Sequence, residues 1–184
     1  MTDAARPHLD CEVVVVGSPD HEWGACVCAL VVLVPDAVHD GTAADLDEPV
    51  YLRLKEQLRA IQAENPAFRF IYLMGFAASA GRAAAPEARP IVFFVDSVPV
   101  GAPDEAPAGM VYNEAPPGFR RVLLTGHAEV EGPFHDRWGG FVSGCVPLVD
   151  PATGTLLATL AVDFDATDWT WHLAAHAALP AGLL

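Results

Sequence analysis

Apolar positions along this chain change period from segment to segment, and each change marks an element. From residue 47 they recur at helical spacing, with Tyr51, Leu54, Leu58 and Ile61 on one stripe. Asp47 suits a cap and Pro49 a first helical turn, so the pattern predicts a helix over 47–65. It must stop there, because the residue before Pro66 is pushed out of the α region. Residues 68–76 (FRFIYLMGF) are apolar on both sides, with Phe70, Tyr72 and Met74 facing one way and Ile71 and Leu73 the other. That pattern belongs to a central strand. After an Ala/Gly/Pro connection over 77–90, residues 91–96 (IVFFVD) read as its antiparallel hairpin partner. Three further strands are expected over 128–131, 140–149 and 155–165, the last two joined by a tight turn at 150–154. On the final strand Thr159, Ala161 and Asp163 make a small, polar face, while Leu156, Leu160, Val162 and Phe164 make the other side greasy. A terminal helix is expected from residue 167.

Between the second and third of these strands lies 97–121, a stretch rich in proline, glycine and acid. A structureless connection of that length in a compact domain is normally functional, which makes it the lid candidate. The first forty residues combine a β-branched run, Val13 to Val16, with a Gly-Ser-Pro-Asp turn and an apolar stretch over 24–34, and read as short strands or a buried segment. One helix followed by five antiparallel strands is an α+β plan with helices on one side of the sheet.

Composition narrows the function classes. The chain has 184 residues, 52% of them hydrophobic and 18% charged, which is one folded domain rather than a disordered polymer. Ten Lys plus Arg against 24 Asp plus Glu give a formal net charge of −14, which argues against nucleic acid and anionic membrane surfaces as partners. No apolar run reaches the length that crosses a bilayer. Cys11, Cys26, Cys28 and Cys145 are too sparse for a disulfide scaffold. Cys26 and Cys28 with His21 suggest at most a metal or redox site, but no C-x-x-C pair or second ligand pair accompanies them, so no metal is assigned. The seven histidines are scattered, and no G-x-S-x-G elbow, H-E-x-x-H helix or Gly-rich phosphate loop is present, so no catalytic residue, no cofactor and no enzymatic activity are expected.

The ordered blocks EPVYLRLKEQLRAIQAENPAFRFIYLMG, IVFFVDSVPVGAPDEAPAGMVYNEA and GPFHDRWGGFVSGCVPLVDPATGTLLATLAVDFDA together resemble the PAS-like Cache sensor domains of bacterial receptors. The resemblance spans 45–165, most of the chain. It implies a long N-terminal helix packed on one face of a five-stranded antiparallel sheet, with a ligand pocket on the other face. It also divides the chain into a divergent lead-in over 1–44, the sensor domain over 45–166, and a C-terminal helix over 167–184 that looks like the start of a truncated transmembrane segment. The function implied is ligand sensing on the extracytoplasmic face of the bacterial inner membrane, ahead of a histidine kinase, diguanylate cyclase or chemoreceptor module. The partners implied are a small-molecule ligand and a second copy of the chain, with membrane anchoring only through segments missing or truncated here. Amino-acid-binding members carry an Arg-x-Trp-Tyr cluster; the nearest stretch here, Asp136-Arg137-Trp138-Gly139-Gly140, lacks the tyrosine, so that motif is not met.

On this reading the candidate ligand-binding residues are Tyr72, Phe94, Asp96, Tyr112, Phe141, Ser143 and Asp163. For the three aromatics on strands, Tyr72, Phe94 and Phe141, the alternative is plain core. Ser143 and Asp163 are more telling, since polar groups at inward strand positions need partners; for Asp163 the alternative is a bond to a loop backbone. Asp96, with Ser97, closes a strand and starts the lid, and Tyr112 is placed to latch it. Asp136, Arg137 and Trp138 read as a surface turn, with Trp138 over the sheet edge. The rival functions are a ligand-free dimerisation or structural module, marked by an exposed Tyr51, Leu54 and Leu58 stripe and a filled pocket, and a metal- or redox-responsive module using Cys26, Cys28 and His21.

Overall fold

A computed structural model describes residues 13–20, 24–31, 46, 49–77, 85, 88–150 and 153–169 of the chain. Near the N-terminus β1 (Val13–Asp20) and β2 (Gly24–Val31) pair as an antiparallel ribbon. The expected C-terminal helix is described only as a helical turn over 166–169, and its continuation over 170–184 lies outside the described residues.

The body of the fold is a five-stranded open sheet in which every pairing is antiparallel. Its strands are β3 (Phe70–Phe76), β4 (Ile91–Asp96), β5 (Glu129–Asp136), β6 (Gly139–Val149) and β7 (Leu156–Asp165), in the order β4-β3-β7-β6-β5. The strand apolar on both sides, β3, is paired on both edges, by β4 and β7, and its side chains are buried on both faces. Helix α1 (Pro49–Glu64) packs on the back face through Tyr51, Leu54, Leu58 and Ile61, which meet Ile71, Leu73, Val95, Ala158 and Leu160. The remaining helix, α2 (Pro117–Thr125), packs on the front with Phe119, Val122 and Leu123, against Phe70, Tyr72, Met74, Phe93, Phe141 and Cys145. The plan is α+β, with a helix on each face of the sheet.

Helix α2 corrects the reading of 97–121 as one loop and of the helices as lying on one side. Pro117 opens it at a position where a missing N–H costs nothing, three buried apolar residues follow at helical spacing, and Gly126 closes it at φ 68° with its N–H donating to the Val122 carbonyl. The lid is therefore shorter, 97–116. It is pinned to the free edge of β4: Phe93 N–H donates to Met110, Gly109 N–H to Phe93, and Tyr112 N–H to Ile91. Strand β5 runs to Asp136 rather than stopping at 131, because pairing resumes at Phe134 after a register shift beyond Glu131. Among the described residues no helix is long and apolar enough to cross a membrane.

One charged residue breaks the apolar back layer. Lys55 of α1 is 3% exposed, and its ammonium donates to Asp96 Oδ1 and sits 3.1 Å from Glu105. Burial lowers the pKa of this lysine, but the two carboxylates outweigh that effect and leave it raised. It is buried as a cation because it is paired.

Candidate functional site

The front of the sheet holds a hollow walled by Phe70, Tyr72, Phe93 and Asp163 from the strands and by Asp96, Asp104, Ala106 and Tyr112 from the end of β4 and the lid. Asp136 and Trp138 at the β5–β6 turn close it. The free space is small, about 20 Å³, room for about one water. Aromatic residues make half of the wall: Phe93 meets Trp138 edge-on at 5.6 Å and Tyr112 at 4.9 Å, and Tyr72 meets Phe93 at 5.3 Å.

Asp163 is the chemical centre of this hollow. Alternation along β7 turns it to the front, opposite Ser143 on β6 and Phe70 on β3. It is 3% exposed, and both nearby hydroxyls, Ser143 Oγ and Tyr72 Oη (3.1 Å), donate to its Oδ1. Those donors are neutral. Burial drives its pKa up to about 7, an effect the two hydrogen bonds oppose and the nearby charge of Asp136 adds to. Beside it the Cys145 thiol and the Tyr72 hydroxyl are both pushed up by burial, so neither ionises at neutral pH.

Side-chain bonds tie the lid down along its length. Tyr112 Oη donates to Asp136 Oδ2, and burial followed by that bond raises the phenol pKa. Glu114 receives two bonds from Arg137, at 3.0 and 2.8 Å, and Asp104 is 3.1 Å from Arg69. Asp96 joins lid, hollow and back helix: Oδ2 accepts from Ala106 N–H at 2.8 Å, while Oδ1 receives the Lys55 ammonium. Ser97 accepts from Ile71 N–H at 3.1 Å, fixing the start of the lid to β3.

The structure brings Tyr72, Asp96, Tyr112 and Asp163 together around the hollow. Phe141 lies beside them in the front core, edge-on to Phe70 at 5.7 Å and to Phe134 at 6.2 Å, and Ser143 acts through its bond to Asp163. Phe94 is a correction. A register shift in the β3–β4 ladder pairs Val95 with Leu73 and Phe93 with Met74, leaving Phe94 as an extra residue that packs with the back layer. Its ring lies over Gly75, where any Cβ would strike it. Phe93 takes the place at the hollow.

Asp136 and Trp138 are a second correction. The expected turn is there, but Asp136 and Trp138 also wall the hollow, whereas the Arg137 charge between them does meet solvent. Phe70, Phe93, Asp104 and Ala106 complete the wall. Cys26 and Cys28 fall on β2, but their side chains and His21 lie outside the described residues. Among the described residues no group of three or more His, Cys, Asp or Glu side chains is placed to hold a metal ion. No protein-family model matches the chain, and no curated protein matches it.

Proposed function

We propose that this chain is the ligand-sensing domain of a bacterial membrane signalling protein of the PAS-like Cache type. It would sit on the extracytoplasmic side, ahead of a histidine kinase, diguanylate cyclase or chemoreceptor module. The observation that carries the reading is the position of Asp96, which walls the front hollow on one side and holds Lys55 of the back helix on the other. A ligand that moves the lid changes the same carboxylate that anchors α1. The layout supports it too: an antiparallel five-stranded sheet with α1 behind and a lidded hollow in front is the arrangement the resemblance implies.

Since the hollow admits about one water, a metabolite enters only as the lid lifts. That requirement is what makes the site a switch, because a ligand shifts an equilibrium only by its different affinity for the two arrangements. A coupling of about 1–3 kcal/mol between hollow and helix is the ordinary magnitude for such a device. In a homodimer the contact would use the outer side of α1, where Leu52 is exposed, since Tyr51, Leu54 and Leu58 are spent on the sheet.

The small volume also favours a second reading, a ligand-free structural module of such a receptor. A thermal-shift screen against amino acids, organic acids, amines and purines separates the two. The sensing reading expects a compound that raises Tm by mass action in the wild type and not in a folded Asp163→Ala variant. A screen without any such compound leaves the structural module.

A further inference from the structure

At the far end of the sheet's central pair of strands a second space opens. The ladder between β3 and β7 ends at Met74 and Thr159, yet β3 runs on to Phe76 and β7 begins back at Leu156. Between these parted ends and the last turn of α2 lies a cleft of about 430 Å³, within the size range of small-molecule sites. Among the described residues its side chains are apolar but for one: Phe76 from β3, Leu156 and Leu157 from β7 and Leu123 and Leu124 from α2 surround Arg89. The cleft is separate from the front hollow, because Phe70 and Phe76 stand at opposite ends of β3, about 20 Å apart at about 3.4 Å per residue.

Arg89, just ahead of β4, is held in place without a counter-charge. Its Nη2 donates to the Ala77 carbonyl at 2.9 Å, and its guanidinium lies 5.4 Å from the centre of the Phe76 ring. Its own carbonyl accepts from Arg120 Nη1, and the Arg120 guanidinium is 5.4 Å from the same ring, so two cations flank one wall of the cleft. Arg89 Nε is buried and donates to nothing, and no carboxylate pairs with Arg89 among the described residues. A buried donor on a charged group is costly to leave unmet. Acids are not scarce in a chain with 24 Asp plus Glu against ten Lys plus Arg, and Arg59, Arg69, Arg121 and Arg137 each hold one.

We propose that this cleft binds a medium-chain monocarboxylate, its carboxylate accepting from Arg89 and its alkyl chain lying among Phe76, Leu156, Leu157 and the end of α2. One guanidinium in a leucine-lined space calls for one anionic head on an apolar tail. A dicarboxylate would press its second charge against leucines, an alcohol leaves the cation unbalanced, and an amine is repelled by it. Each methylene buried in the cleft raises affinity about fourfold until the space is full. The net charge of −14 repels an anion at long range, but salt screens that field beyond about 8 Å, so the adjacent guanidiniums decide the binding.

Isothermal titration of the full chain with octanoate, butyrate, octanol and octylamine tests this. The expected result is one octanoate per chain, binding at least about tenfold tighter than the other three and weakened about tenfold or more by Arg89→Met and by Leu124→Asp. Leu124 is 46% exposed, so its variant carries the test if Arg89→Met fails to fold. Backbone amide shifts in NMR locate the ligand: they are expected at 75–76, 123–124 and 156–157, and not over the lid at 104–112. Octanol or octylamine binding as tightly as octanoate, octanoate binding indifferent to both substitutions, shifts confined to the lid, or no octanoate binding each overturns the assignment. None of these outcomes touches the sensing reading, which concerns the front hollow.

Discussion

Asp163 is the residue that ties the stability of the fold to pH. In the unfolded chain it titrates near 3.8 and in the folded chain near 7, so between those values the native state keeps a proton that the unfolded state has lost. Stability therefore falls as the pH rises from about 4 to about 7, by an amount on the order of 3 kcal/mol. Asp163→Asn leaves Tyr72 and Ser143 an oxygen to donate to and cannot ionise. It is expected to be more stable than the wild type at about pH 8, about equal at about pH 4, and to flatten the slope between them. Urea unfolding across that range checks it, and an unchanged slope would assign the titration to another group. The sequence showed Asp163 as an inward polar residue because strand alternation is regular along β7. It misplaced Phe94 because a bulge breaks that alternation in β4, and a bulge depends on the partner strand's register, which one strand's own pattern does not contain.

At the scale of elements, α1 is joined to the front of the molecule through Lys55, which pairs with both Asp96 and Glu105. Lys55→Met removes the cation and leaves Asp96 buried beside Glu105, a change expected to cost about 3–5 kcal/mol. The double variant Lys55→Met/Asp96→Asn should recover part of that loss, since Asn keeps an acceptor for Ala106 N–H and removes the unpaired charge. Denaturant midpoints of the wild type, the two single variants and the double variant measure it, and additive effects would show that the pair does not couple helix to lid. Helix α1 was readable because a four-residue apolar stripe over 51–61 repeats at helical spacing on a polar background. Helix α2 was not, although Pro117, Phe119, Val122, Leu123 and Gly126 carry a start, a stripe and a stop. Nine residues give too few turns for the period to stand out beside the prolines and glycines that precede it. Strand β5 was cut short for a related reason: its side chains are half-exposed or exposed, so no apolar run marks its second half.

For the whole molecule, the account is that the two faces of one sheet communicate. The back is sealed by α1 and the front by α2 and a lid that leaves about one water's space. The strand order, β4-β3-β7-β6-β5, puts β3 and β7 at the centre, so the hollow sits on the same strands that carry α1 behind them. The sequence yielded the sheet, the back helix and a set of front residues; it did not yield the Asp96–Lys55 link, because a lysine on an apolar helix stripe looks like a surface residue until its partners are known. Hydrogen exchange read peptide by peptide, with and without the compound that raises Tm, tests this claim most directly. The account predicts that exchange changes together over the lid at 97–116 and over α1 at 49–64, and that Lys55→Met keeps the first change and loses the second. Protection confined to the lid in the wild type would contradict it.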